Sequence, residues 1–172
     1  YSFALVNQNF TTATNVYNVA VGYDAGVSVT TGVRNIAIGA FSLDADTLGQ
    51  RSVAIGYAAL GGQNFTTATE THNTAVGYEA GNAITTGTNN TFIGGLAGVA
   101  NTTASENTAV GYQAGYSNTT GTDVVAVGKS ALEDNTTGVG NVAIGRYALA
   151  DNTTASGNTA VGGYNGSAQP AM

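Results

Sequence analysis

The sequence predicts an all-β parallel β-solenoid of nine to ten rungs, and three observations carry that prediction. A five-residue phrase, Asn73-Thr74-Ala75-Val76-Gly77, recurs nine times, its copies ending at Gly22, Gly39, Gly56, Gly77, Gly94, Gly111, Gly128, Gly145 and Gly162. The spacing is 17 residues at every step except one of 21. A period of this size and strictness marks stacked units that use one another as core. The residue before the glycine is Val or Ile in all nine copies, and β-branched apolar residues favour strand over helix.

Within the phrase, three columns stack from rung to rung. Val76 and Thr74 belong to β-branched columns two residues apart, which places them on one face of a strand. Between them runs Ala20, Ala37, Ala54, Ala75, Phe92, Ala109, Ala126, Ala143 and Ala160, on the opposite face. A column this uniformly small and apolar has no reason to face water, so both strand faces are expected to be covered. The expectation is that Val76 points into the coil and that the Ala column forms a subunit interface.

The asparagine opening the phrase recurs at 18, 35, 73, 90, 107, 141 and 158, with Ser52 and Val124 as exceptions. Stacked once per rung, such amides can form a hydrogen-bonded ladder at a corner; a turn-former copied by duplication predicts the same column. A second run follows each glycine, as in Tyr78-Glu79-Ala80-Gly81, and its fourth position alternates between Gly and Leu. That alternation predicts an inner volume filled in some rungs and left to neighbours in others. Asn-Thr-Thr turns close the rungs at 101–103, 118–120, 135–137 and 152–154. Seventeen residues hold no helix with its connections, so each rung is expected to be two short strands and two turns.

The chain is expected to be one domain, 1–172, with a partial first rung at 1–17, nine repeats over 18–166 and a tail at 167–172. Aligning Gln8-Asn9-Phe10 on Gln63-Asn64-Phe65 puts Tyr1 at the place of Gly56, as if the chain began within a rung. Tyr1 is therefore expected to be a processed terminus or the start of a fragment. The 21-residue step comes from four extra residues between Leu60 and Asn73, and the same insertion lies between Leu5 and Asn18. Insertions in solenoids map to surface loops, often on a binding face. The candidate recognition loops are therefore Gln8, Asn9, Phe10, Thr11 and Thr12, with Gln63, Asn64, Phe65, Thr66 and Thr67. Phe10 and Phe65 are expected to be partly exposed.

Composition narrows the function classes. Charged residues are 8% of the chain, against about 25% in ordinary globular domains. The net charge is −6, and four cations, Arg34, Arg51, Lys129 and Arg146, make no basic stripe, so no nucleic-acid partner is expected. Cysteine is absent, which removes disulfides and thiolate metal sites. No apolar run reaches the roughly 18 residues of a spanning helix, so no membrane insertion is expected within this chain.

A hydrolase or transferase would need converging ionisable groups, and His72 is the single histidine. No catalytic residue, cofactor or metal site is expected. Calcium-binding rolls repeat Gly-Gly-x-Gly-x-Asp; Gly61-Gly62 and Gly162-Gly163 lack the aspartates, and Asp134 with Asp151 are solvated turn residues. The Thr columns at 85, 102, 119, 136 and 153, and at the following positions, suggest ice or glycan binding as a third reading. Asn101, Asn118, Asn135 and Asn152 match the N-glycosylation acceptor pattern.

The stretch Asn73-Thr74-Ala75-Val76-Gly77-Tyr78-Glu79-Ala80-Gly81, and Arg51-Ser52-Val53-Ala54-Ile55-Gly56 most closely, resembles the repeat of trimeric autotransporter adhesin heads (YadA-like). It is also similar to repeats of phage tail fibres. The likeness spans about residues 18–166; the repeat here is longer than the family's, and no stalk or anchor accompanies it. The resemblance implies a left-handed parallel β-roll, a homotrimer packed through an apolar face, and extracellular display on a cell or virion surface. Its partners would be itself, by trimerisation or end-to-end stacking, and a host surface glycan or protein receptor. It carries over no catalytic residue. A self-assembling extracellular filament subunit is the alternative.

Overall fold

The computed structural model describes residues 4–9 and 15–163 of the chain. It is a parallel β-solenoid of about eight turns built on the 17-residue repeat. One three-residue strand marks each rung: β1 (Val19–Val21), β2 (Ile36–Ile38), β4 (Val53–Ile55), β6 (Thr74–Val76), β7 (Thr91–Ile93), β8 (Thr108–Val110), β9 (Val125–Val127), β10 (Val142–Ile144) and β11 (Thr159–Val161). They form one nine-stranded parallel sheet in chain order, each phrase in register with the next, so that Ala75 lies beside Ala54 and Phe92. A two-stranded sheet pairs β3 (Gly49–Gln50) with β5 (Thr69–Glu70) at the long rung.

The second expected strand does not form. The backbone after each of the first eight phrases takes left-handed φ at alternating positions, +49° at Glu79 and +59° at Gly81, and this breaks any extended run. Rung-to-rung hydrogen bonds nevertheless continue through the turns: the N–H groups of Gly81, Ala83 and Thr85 donate to the carbonyls of Ala97, Val99 and Thr102 at 2.9, 3.0 and 2.8 Å. The glycine ending each of the first eight phrases is required by space as well as by φ. A Cβ on Gly77 would stand 2.5 Å from the carbonyl oxygen of Gly94, at φ +142°.

The two faces of the strand are reversed relative to the sequence expectation. The Ala column points into the coil: Ala54, Ala75, Ala126 and Ala143 are fully buried, with Phe92 among them. It is the core and cannot be a subunit interface, since the chain's own turns already cover it. A second buried alanine column, Ala59, Ala80, Ala97, Ala114, Ala131 and Ala148, faces the same interior. The β-branched columns point outward. The coil is so narrow that methyl groups from two walls nearly fill it, and larger side chains go outside.

The Gly-or-Leu alternation is a packing device, as the columns suggested. Leu43, Leu60 and Leu132 fill the interior of their own rungs. Phe92 extends into the space that Gly81 and Gly98 leave, and a Cβ on either glycine would come within 2.7 or 2.5 Å of its ring.

The corner ladder exists, with a more specific pattern than amide-on-amide stacking. Each Asn side-chain oxygen accepts the backbone N–H one rung on, as Asn73 Oδ1 does from Asn90 N at 2.9 Å and Asn90 Oδ1 from Asn107 N at 3.0 Å. Each Nδ2 donates across the corner, from Asn73 to the Gly87 carbonyl (2.7 Å) and from Asn90 to that of Ala104 (2.9 Å). At both exceptions side chains of the neighbouring column supply other hydrogen bonds. Where Ser52 stands, Gln63 donates to its hydroxyl and accepts from Asn73 Nδ2. Beside Val124, Asn135 Nδ2 donates to the Gly138 carbonyl. Asn101 is the opposite case, buried with neither amide atom hydrogen-bonded.

Asn90→Ala is predicted to cost roughly 1–3 kcal/mol for each buried backbone group it leaves bare, measured by denaturant unfolding, whereas Thr103→Ala at an exposed turn changes little. Asn101→Ile should raise the unfolding midpoint, because Ile84 occupies the equivalent buried place one rung earlier without difficulty.

Candidate functional site

The outward face of the nine-stranded sheet is an uncharged strip of Val, Ile and Thr. Its positions range from half-buried to well exposed, with Ile93 and Ile144 each 40% and Val21 58% accessible. Nine strands at about 4.8 Å make the strip about 40 Å tall, and three residues make it about 10 Å wide. That is about 400 Å² in projection, already within the range of the largest apolar patches of monomers, which are often functional.

A ridge of aromatic side chains borders this strip, one residue past the strand glycines. Tyr23, Tyr57, Tyr78 and Tyr112 occupy the column and are all about half exposed. Phe41 joins it from the next position, with its ring edge-on to Tyr23 (5.3 Å between centroids) and to Tyr57 (5.8 Å); Tyr57 and Tyr78 stack at 5.5 Å. The carboxylate of Glu79 beside Tyr78 raises the phenol's pKa. Farther along, Lys129 and Arg146 lie over the Tyr147 ring at 5.8 and 4.9 Å, and the hydrogen bond from Arg146 with the charge of Lys129 lowers its pKa. The ridge thus passes from aromatic and acidic to cationic.

The long rung differs from expectation in its aromatic residue. Phe65 is 6% accessible and folds back against the coil, and Gln63 is fully buried. The insertion emerges as an exposed bulge at Thr66, Thr67 and Ala68, with Asn64 also exposed. What pulls the segment inward is Asp46, also fully buried, whose carboxylate accepts from Gln63 Nε2 (2.8 Å), Gly49 N (3.1 Å) and Phe65 N (3.2 Å). In the first loop, Asn9 is exposed and its N–H donates to the Thr30 carbonyl, while Phe10, Thr11 and Thr12 lie outside the described residues, as does the tail.

Other sequence candidates separate cleanly. The hydroxyls of Thr85, Thr102, Thr119 and Thr136 each donate to the carbonyl of the corresponding Thr one rung on, at 3.0–3.1 Å, so they are structural. The next column, Thr103, Thr120 and Thr137, is exposed. Asn101, Asn118 and Asn135 are buried, which closes them to glycosylation in the folded chain. His72 is exposed, 4.0 Å from Glu70, which also pairs with Arg51 at 2.8 Å. Among the described residues no group of three or more His, Cys, Asp or Glu is placed to hold a metal ion. Sequence reasoning passed over the outward sheet face and the aromatic ridge, although the Tyr column after the glycines was visible in the aligned repeats.

No protein-family model matches the chain, and no curated protein or solved structure matches it either.

Burial raises the pKa of Asp46 despite the three hydrogen bonds it accepts. Between the ordinary carboxylate value and that raised value, the folded chain binds more protons at this site than the unfolded chain. Stability from Asp46 is therefore greatest at low pH and is lost as pH rises through the raised folded value. Comparing Asp46→Asn with the parent chain by denaturant unfolding should show the difference drifting in the parent's favour on acidification from about pH 7 to pH 4. A pH-independent difference would contradict the burial of an ionised carboxylate. Phe65→Ala is predicted to destabilise by about 3 kcal/mol or more, as a buried phenylalanine does.

Proposed function

We propose that the chain is a non-enzymatic structural and adhesive segment of an extracellular fibre, wound left-handed, assembled as a homotrimer and displayed on a cell or virion surface. The observation that carries this is the uncharged outward sheet face. A 40 Å strip of Val, Ile and Thr with no charged side chain is matched best by a surface of the same kind, and a second and third copy of the chain supply one. The strip alone gives each copy about 400 Å² in projection, half of the roughly 800 Å² per partner of standard interfaces, and leaves the aromatic ridge outside the contact. The closed network of backbone bonds makes the coil rigid, so the trimer would act as a spacer that presents its turns as a recognition surface.

The adhesin-head and tail-fibre resemblance supports the same picture. The recognition elements that fit it are the exposed bulge at Thr66 and Thr67, the exposed Asn9, and the aromatic ridge. End-to-end stacking is the second form of assembly, which would continue the in-register parallel sheet from copy to copy. Electron microscopy of concentrated protein separates the two, since filaments support stacking and discrete short rods argue against it.

Sedimentation equilibrium at micromolar concentration should return three times the chain mass, and a stable monomer would sink the trimer. The double substitution Ile93→Lys with Ile144→Lys should give a folded monomer, because both side chains point outward and neither fills the coil. Charges at those positions in a trimer would be desolvated and unpaired, costing several kcal/mol.

A further inference from the structure

Beside the aromatic ridge lies a cleft of about 510 Å³, within the range of small-ligand sites. It is a missing side chain repeated into a shape. Five residues past the strand glycine, three successive rungs carry Asp44, Gly61 and Asn82; two residues past it, they carry Phe41, Ala58 and Glu79. The middle rung is small at both places. Phe41 and Asp44 therefore wall the cleft on one side, Glu79 and Asn82 wall it on the other, and Tyr57 stands at its edge.

Backbone geometry does not call for the glycine at 61, since its φ lies outside the left-handed region. A Cβ there would stand 3.1 Å from Asn82 Nδ2, 3.2 Å from the Ala58 carbonyl oxygen and 3.3 Å from Asp44 Oδ1, so a side chain would enter the cleft itself. Neighbouring rungs carry Asp44 and Asn82 at the same place, and Val27 and Val99 lie one rung farther out. The rung accepts a side chain; this one goes without.

We propose that this cleft binds a neutral saccharide, with a sugar ring against Phe41 and Tyr57 and its hydroxyls donating to the carboxylates of Asp44 and Glu79. The proposal rests on the rod being a recognition surface and names what that surface takes. Two acceptor carboxylates suit a ligand rich in hydroxyl donors, and hydrogen bonds to ionised groups are the strong ones. The Asn82 amide spends one N–H on the Ala58 carbonyl at 2.9 Å and keeps a second N–H and its oxygen for the ligand. The two rings, at 81° to each other, give apolar surface for the C–H face of a pyranose. No Lys, Arg or His lines the cleft, and Asp24 lies close enough to repel the Asp44 carboxylate, so sialylated or phosphorylated sugars are excluded. An organic cation would meet the same aromatics and carboxylates, and the experiment has to separate it.

The full chain is titrated calorimetrically with maltohexaose, cellohexaose and the hexamer of N-acetylglucosamine, and in separate arms with sialyllactose and choline. Saturable binding to at least one neutral hexamer is expected, with none to sialyllactose and none to choline. Gly61→Val should weaken the neutral sugar at least tenfold, and so should Asp44→Asn and Tyr57→Ala, each measured at a temperature where that variant is fully folded. Should Gly61→Val fail to fold, the other two substitutions, at a partly exposed carboxylate and an exposed ring, decide the matter. Failure to bind any neutral hexamer, preference for choline, or unchanged affinity in the folded variants overturns the proposal. Mass measured on the same samples is independent of these outcomes, so loss of the sugar site and loss of the trimer are told apart.

Discussion

The contact on which everything else depends is the approach of one strand-ending glycine to the next, Cβ-free backbone against backbone along the rod. A side-chain carbon at Gly56, Gly77 or Gly94 would lie within 2.3–2.5 Å of the next rung's carbonyl oxygen. With the rungs locked at strand spacing and each only 17 residues round, the enclosed space admits methyl groups and an occasional Leu or Phe. The interior is therefore two facing columns of alanine. An alanine core removes little apolar area from water, and at about 25 cal/mol per Å² it contributes less per residue than an ordinary core of Leu and Ile. The larger β-branched side chains are left outside, where only another surface can bury them. The proposed self-association thus has its physical reason in the narrowness of the coil.

Polar groups do the work that a larger core would otherwise do. The corner asparagines satisfy one backbone N–H and one carbonyl per rung, and they hold the turn to the strand across the interior. Each partner lost from such a buried bond leaves a desolvated group behind, which is costly. At the two breaks in the column, neighbouring side chains supply other hydrogen bonds. At Ser52 these bonds are extensive, with Gln63, Asp46 and Thr71 meeting in one buried network. The same network tethers the long rung, so an insertion that would otherwise be a free loop is anchored at Phe65 and released only over Thr66 to Ala68.

Much of this was legible in the sequence because periodicity converts columns into contacts. The parallel in-register sheet, the Asn corner and the Gly–Leu exchange all follow from stacking equivalent positions. The orientation of the strand did not follow. Val76 and Ala75 are both apolar, and alternation states only that they face opposite ways; which side is inside depends on the circumference of the rung, set by the left-handed residues Glu79 and Gly81. Those residues also cancelled the second strand, since Glu, Gln, Leu and Tyr at such positions carry no signal for positive φ. Phe65 looked exposed because an insertion usually is, and its inward course depends on Asp46, nineteen residues earlier in the chain. The cleft at Gly61 was readable, had the fifth position of each rung been stacked alone.

The central claim is that alanine lies inside the coil while valine and isoleucine lie outside it and are covered by another copy. A chain without cysteine permits a direct test, single substitution followed by thiol labelling over a range of protein concentrations. Ala143→Cys is predicted to stay unlabelled at every concentration at which the chain is folded. Ile144→Cys should label rapidly when dilute and become protected as the concentration rises. Rapid labelling at position 143, or protection at 144 that does not depend on concentration, would contradict the account.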